Sequence, residues 1–147
     1  MPRPSVHFSS ETVEWYTPPE VFEPLHEEFK FTLDVCAADL RCAKLIHYFS
    51  PSDNGLLQTW APQRCWMNPP YAREIKHWVK KAAESGTLVV GLLPARTDTA
   101  WWHDWVMGRA EVRFMRGRVK FMKPNGTRAS SAPFPTAIVV WRPPERR

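Results

Sequence analysis

The run Thr87-Leu88-Val89-Val90-Gly91-Leu92-Leu93 constrains the fold of this chain more than any other stretch. It has neither charge nor polar alternation, the pattern of a strand buried on both faces of a parallel sheet. Residues 73–85, just before it, read as a helix. Ile75, Trp78, Val79 and Ala82 share one face, with Lys76, Lys80 and Lys81 off it. Gly86 stands where helices favour a glycine closure. Val21, Phe22, Leu25 and Phe29 also recur at helical spacing, which predicts an amphipathic helix over 19–29. Thr17 is its expected N-cap, and Pro24 falls in its first turns. Strands are predicted over 31–36, 45–49, 64–67, 111–115 and 136–141, and a helix capped by Asp98 over 99–107. Strands alternating with helices predict an open α/β sheet, mostly parallel. The last two strands would add an antiparallel edge at its C-terminal end.

A chain of 147 residues suits one domain. Residues 1–13 are polar and proline-rich and are read as a flexible arm, leaving 14–147 as that domain. The chain is 44% hydrophobic and 24% charged, with no apolar run long enough to cross a membrane. Met1-Pro2-Arg3-Pro4-Ser5 has no apolar signal core, so a soluble, cytoplasmic protein is expected. Cys36, Cys42 and Cys65 lack the paired short spacings of a zinc site, and His47, His77 and His103 lack ligand spacing. No metal is expected, and the cysteines are read as reduced core or loop residues. A formal charge of +5 and a pI near 9.4 suit a polyanionic partner. Eight tryptophans and fifteen prolines suggest aromatic surfaces held on stiff loops.

The loops at 34–38, 53–56, 68–71 and 94–98 each follow a predicted strand. In an open α/β sheet, ligands bind outside the carboxyl ends of the strands, so these loops converge on one crevice. Asn68-Pro69-Pro70-Tyr71 is its most informative wall. Two prolines remove two backbone donors and stiffen the turn, leaving the Asn68 and Pro69 carbonyls as acceptors. The Asn68 side chain adds a third acceptor, and Tyr71 offers a ring face for stacking. Such a site holds a flat amine by both hydrogens. Asn68 is no conventional base, so its role is positioning.

Asn-Pro-Pro-Tyr after a hydrophobic strand resembles the catalytic motif of amino-methyltransferases that use S-adenosylmethionine. The wider pattern resembles the small phage-type (Dam-like) DNA adenine methyltransferases. It is carried by Trp15-Tyr16-Thr17-Pro18, Phe31 to Ala38, Asp53-Asn54-Gly55-Leu56 with Trp60, and Leu93-Pro94-Ala95-Arg96-Thr97-Asp98. Gly117-Arg118-Val119-Lys120-Phe121 and Ala132-Pro133-Phe134-Pro135 complete it, so the likeness spans about residues 14–141. The resemblance implies a compact Rossmann-like class I methyltransferase sheet and methyl transfer to N6 of adenine. Asn68 Oδ1 and the Pro69 carbonyl would grip the amine, with the base extruded from the duplex and stacked on Tyr71. It further implies that Thr17, Pro18, Asp34, Cys36 and Ala37 bind S-adenosylmethionine, with Asp53 near the adenosine half. The common glycine-rich loop of methyltransferases is absent from Asp34-Val35-Cys36-Ala37-Ala38; small Ala and Cys side chains stand there instead. A turn or cap role is the alternative for Asp34, and a plain turn is the alternative for Asp53.

Arg109, Arg113, Arg116, Arg118, Lys120, Lys123 and Arg128 crowd one stretch whose only acid is Glu111. The prolines and glycines around them suggest a mobile basic surface. Arg113, Arg116, Arg118, Lys120, Lys123 and Arg128, with Arg96 at the crevice, are the expected DNA contacts, a solvated basic face being the alternative. Trp101 and Trp105 would share a helix face that Trp102 does not, and core packing is expected for all three. DNA is the expected partner, the protein acting as monomer or homodimer. The resemblance places it in a bacterial host cell, encoded by phage or prophage. Two other readings stay open: a protein glutamine methyltransferase, and a non-catalytic DNA-binding protein on a methyltransferase scaffold.

Overall fold

The computed structural model describes residues 16–39, 42–123 and 125–145. The predicted arm over 1–13, together with Trp15, lies outside them. In chain order the elements are α1 (Pro19–Phe29), β1 (Leu33–Asp34), a 3-10 turn (Gly55–Leu57), β2 (Cys65–Met67) and α2 (Ile75–Glu84). Then come β3 (Val89–Pro94), α3 (Ala100–Trp105), β4 (Glu111–Phe114) and β5 (Thr136–Trp141). No helix among the described residues is long and apolar enough to cross a membrane.

The apolar run takes the place its composition demands. Every residue of β3 is buried, and both edges are paired in a five-stranded sheet of order β1-β2-β3-β5-β4. β1, β2 and β3 run parallel, with Leu33 opposite Cys65 and Met67 opposite Gly91. β5 runs antiparallel to β3 along its whole length, from Val89 opposite Trp141 to Pro94 opposite Thr136. β4 then pairs antiparallel with β5. The one antiparallel strand therefore lies inside the sheet, and β4 forms the outer edge. Burial explains the order: every residue of β5 (TAIVVW) is buried, whereas β4 (EVRF) carries two charges and stays half exposed.

Side-chain stacking fixes the helices. Phe22 of α1 meets Trp66 of β2 edge to face, with ring centroids 5.3 Å apart. α2 runs against α3 and the 3-10 turn, and its Trp78 stacks on Trp60 at 6.1 Å. Gly86 has φ +71° and ends α2 in the left-handed position where a Cβ is costly. Trp101 and Trp102 are both buried, and Trp105 is half buried with its carbonyl accepting from Trp141 Nε1.

Three local expectations need correction. The N-cap of α1 is Pro18, because the Thr17 side chain is engaged elsewhere. The cap of α3 is Thr99, whose hydroxyl accepts from Trp102 N and donates to Arg96 O, while Asp98 stays exposed. The strand expected over 45–49 is reduced to one parallel bridge from Tyr48 to Asp34. β1 has only two residues, so it offers no longer template, and Ile46 and His47 remain in solvent.

The basic stretch also differs from a loose loop. It doubles back as a hairpin: Ala132 N donates to Val119 O at 2.9 Å, Ala129 N to Phe121 O at 2.8 Å, and Lys123 N to Thr127 O at 2.8 Å. Val119, Phe121 and Ala132 are buried and anchor it, while its cations face outward.

Gly55 is required by close approach. A Cβ there would lie 2.2 Å from the Val35 carbonyl oxygen and 3.0 Å from the Trp78 ring. Backbone cannot yield as a side-chain tip can, so Gly55→Ala must push the 3-10 turn away from the end of β1. It should lower unfolding stability by more than about 2 kcal/mol, read from urea denaturation against the parent protein.

Candidate active site

At the carboxyl ends of β1 and β2 the chain lines a cleft of about 190 Å³ that opens to solvent. Asn68, Pro69 and Pro70 line it together with Thr17, Asp34, Cys36 and Ala37, so residues more than fifty positions apart meet in one place. Of the loops expected at the crevice, 53–56 contributes Asn54 and Gly55, whereas 94–98 lines none of it. Sequence reasoning missed other walls: Tyr16, Lys44, Phe49, Ser50 and Trp66. The Ser50-Pro51 pair marks a turn but not its direction. Lys44 and Phe49 carry no local signal at all.

Asn68 leaves β2 directly after Met67. Its amide Nδ2 donates to Thr17 Oγ1 at 2.9 Å, so the carbonyl end of the amide is turned away from Thr17. Pro69 and Pro70 contribute no donors to the wall they form. Tyr71 does not line the cleft. Its hydroxyl donates to Leu92 O at 2.7 Å, and Phe121 and Phe134 make edge-to-face contacts with the ring at 6.0 and 5.6 Å. The open ring face expected for stacking is therefore covered, because a buried phenol needs an acceptor and two phenylalanines fill the space around it. Half-buried Phe134 in turn carries the Arg96 guanidinium over its ring at 5.7 Å.

Asp34 is buried at the end of β1, and its side chain works on the backbone. Oδ1 accepts from Cys36 N at 3.2 Å and Oδ2 from Lys44 N at 3.0 Å, which staples the 36–44 loop to the strand. Burial pushes its carboxyl up to about 6 against the stabilising pull of those two N–H groups and of Lys44. Pro18 is buried and outside the lining of the cleft, its carbonyl accepting from Val21 N and Phe22 N at the start of α1. Asp53 is exposed and outside the lining, and Oδ2 accepts from Ser50 N and Ser50 Oγ. It shapes the turn that presents Asn54 and Gly55. Burial raises the Cys36 and Cys42 thiols, so both stand at the cleft as neutral groups.

A family model for DNA N-6-adenine-methyltransferase (Dam) matches residues 5–147, nearly the whole chain. The chain belongs to that family. A DNA N-6-adenine-methyltransferase of Haemophilus phage HP1 is 29% identical over 136 residues, covering 88% of this chain and 78% of the phage protein. Membership makes the protein a DNA adenine-N6 methyltransferase and speaks against the glutamine-modifying reading.

For a DNA methyltransferase the disposition of cations matters, and the structure divides those expected to meet DNA. Arg113, on β4, is spent on structure: both terminal nitrogens donate to Glu28 at 2.7 Å, Nε pairs with Glu111, and the guanidinium covers the Phe29 ring at 5.3 Å. Arg128 pairs with both carboxylate oxygens of Glu20, which holds that carboxyl down to about 2. Arg118 donates one bond to Ala132 O at 3.3 Å yet stays exposed. Arg96, Arg116, Lys120 and Lys123 are also exposed.

The environment of Asp34 sets a pH dependence whose sign is fixed. Its folded carboxyl titrates near 6 against an ordinary 3.8, so the folded chain binds the proton more tightly than the unfolded one. This contribution is fully present below the ordinary value and is lost as pH rises through about 6. It amounts to on the order of 3 kcal/mol. Asp34→Asn removes the titration and should lower stability by a constant offset from its poorer loop staple. The advantage of the parent over the variant should therefore shrink between about pH 4 and about pH 7 in urea denaturation. A difference that does not change with pH would contradict this.

Proposed function

We propose that the cleft binds S-adenosylmethionine and presents its methyl group to the N6 amine of an adenine turned out of duplex DNA, on a sheet of the Rossmann-like class I methyltransferase type. The observation that carries this reading is that Asn68, Pro69 and Pro70 line the same cleft as the Asp34-to-Ala38 loop. The residues fit the cofactor. A cleft walled by Phe49, Trp66 and Ala37, with polar groups at Asp34, Ser50, Asn54 and Lys44, suits an amphiphilic nucleoside in its chemistry. Cys36, Ala37, Asn54 and Gly55 would hold it, and Asp34 would keep the first loop in shape. When bound, it supplies an electrophilic methyl group on a sulfonium centre.

The chain's own residues do the rest. The Asn68 side-chain carbonyl and the Pro69 backbone carbonyl accept the two hydrogens of the target amine, which otherwise delocalises its lone pair into the ring. Holding both hydrogens favours a tetrahedral nitrogen and fixes its lone-pair direction, so rate comes mainly from orientation. The proton released on transfer passes to water, since no conventional base is needed for an ammonium so acidic. Stacking of the extruded base on Tyr71 requires Phe134 to give up its place on that ring, and Arg96 would follow Phe134 toward the DNA. Arg116, Arg118, Lys120 and Lys123 would lie along phosphates.

Purified protein incubated with labelled S-adenosylmethionine and unmethylated duplex DNA should yield N6-methyladenine on nucleoside analysis. Label in protein alone, or none, would refute the reading. Asn68→Ala should lower transfer by about 100-fold or more while cofactor binding, measured by equilibrium dialysis, changes little.

DNA binding gives a separate check on the hairpin. Reversing charge at Arg116 and Arg118 should reduce the slope of log affinity against log salt by about two. Arg113→Gln, which breaks only the internal pairs, should leave the slope unchanged. The opposite pattern would move the DNA surface to β4.

A further inference from the structure

The Thr17 hydroxyl has a partner that the reading above does not use. It accepts from Asn68 Nδ2 at 2.9 Å, and Thr17 is 3% exposed. A primary amide at a site like this can sit in two orientations that differ only by exchange of its oxygen and nitrogen. Only one of them offers an acceptor to an amine; the other presents hydrogens to hydrogens. A threonine hydroxyl can accept from Nδ2 or donate to Oδ1, so what it fixes is the place of the amide, which in the structure bonds through Nδ2.

Thr17 is itself immobilised on both sides. The carbonyl of the preceding residue, Tyr16, accepts from Met122 N of the basic hairpin at 2.9 Å. The following residue, Pro18, has a fixed φ and accepts from Val21 N and Phe22 N at the head of α1. The hairpin is clamped to the same helix by Arg128 on Glu20. The hydroxyl therefore stands on a rigid backbone between the surface expected to meet DNA and the residue expected to meet the base.

We infer that Thr17 is a positioning residue for methyl transfer: its hydroxyl anchors the Asn68 amide at the end of β2 and so holds the proposed amine acceptor in place. The inference rests on the assignment of Asn68 as amine acceptor. It gives Thr17 an office other than contact with the cofactor, and it explains why this threonine does not cap α1. Preorganisation of this kind acts on the turnover step, because reorienting the amide after the base arrives would cost rate and not cofactor affinity.

The test compares Thr17→Val, which keeps the shape and loses the hydroxyl, with Thr17→Ser, which keeps the hydroxyl. Thr17→Ala, which cannot crowd the site, covers the case in which the valine variant fails to fold. The readouts are kcat and KM for DNA at saturating S-adenosylmethionine, and the cofactor Kd from equilibrium dialysis. The valine or alanine variant should lose about 10- to 100-fold in kcat with cofactor Kd within about twofold of the parent, and the serine variant should recover to within about threefold. A tenfold weaker cofactor Kd with kcat intact would overturn the inference and make Thr17 a cofactor contact. Unchanged kinetics in the valine variant, or a serine variant as impaired as valine, would also overturn it. If the parent protein itself forms no N6-methyladenine, the fault lies with the proposed function and not with this assignment.

Discussion

Double-sided burial of β3 is the constraint on which the remaining geometry depends. Val89, Val90, Leu92 and Leu93 are completely shielded, and each such side chain contributes roughly 1.5–3 kcal/mol when removed from water. The same burial leaves its backbone no solvent to bond, so β2 and β5 must supply partners on the two edges. With β2 held in that register, Met67 ends opposite Gly91 while β3 continues through Leu92 and Leu93 to Pro94. β1 stops one step earlier, with Asp34 opposite Trp66. The carboxyl edge of the sheet is thus a staircase, and the chain leaving β2 at Asn68 emerges on its middle step. Tyr71 reaches from there to the Leu92 carbonyl, the next backbone acceptor along β3.

The cleft keeps its shape because two loops are tied to the end of β1 by different means. The Asp34 carboxylate gathers the backbone of Cys36 and Lys44, at an electrostatic cost that appears as its raised protonation range. Gly55 brings the second loop against the Val35 carbonyl at a distance no other residue permits. A third side is closed by the segment before α1, through Thr17. These attachments are local, and they hold the residues lining the cleft in fixed relative positions. The loop from Asp34 to Ala38 has no glycine and is shaped by a buried carboxylate, while a glycine stands in the loop that faces it.

Much of this was legible along the chain. Helices α1 and α2, the buried strand and the last strand announce themselves through periodicity or its absence, because packing against a core selects residue type at each position. Asn68, Pro69 and Pro70 were also legible as a wall of the cleft, since two prolines and an amide restrict what a turn can offer, whereas the inward turn of Tyr71 was not. Other features were not legible. Thr17 reads as a helix cap in any local analysis, and Asp98 reads as a better cap than Thr99. In both cases the competing hydrogen bond decides: Asn68 claims the first threonine, and the Arg96 carbonyl orients the second.

The cations show the same division. Composition placed a basic stretch over 109–128 and could not distinguish its members. Arg113 and Arg128 are neutralised by Glu28 and Glu20, acids on α1 about a hundred residues away in sequence, and only tertiary contact pairs them. What the sequence determined by itself was the element pattern and the donor-poor turn at Asn68-Pro69-Pro70, because both depend on residues within a few positions of one another. What the tertiary structure decided was the inward place of β5, the covering of Tyr71, the separation of structural from free arginines, and the anchoring of the Asn68 amide. Each of these turns on a contact between distant segments, and a distant contact leaves no periodicity for a sequence to display.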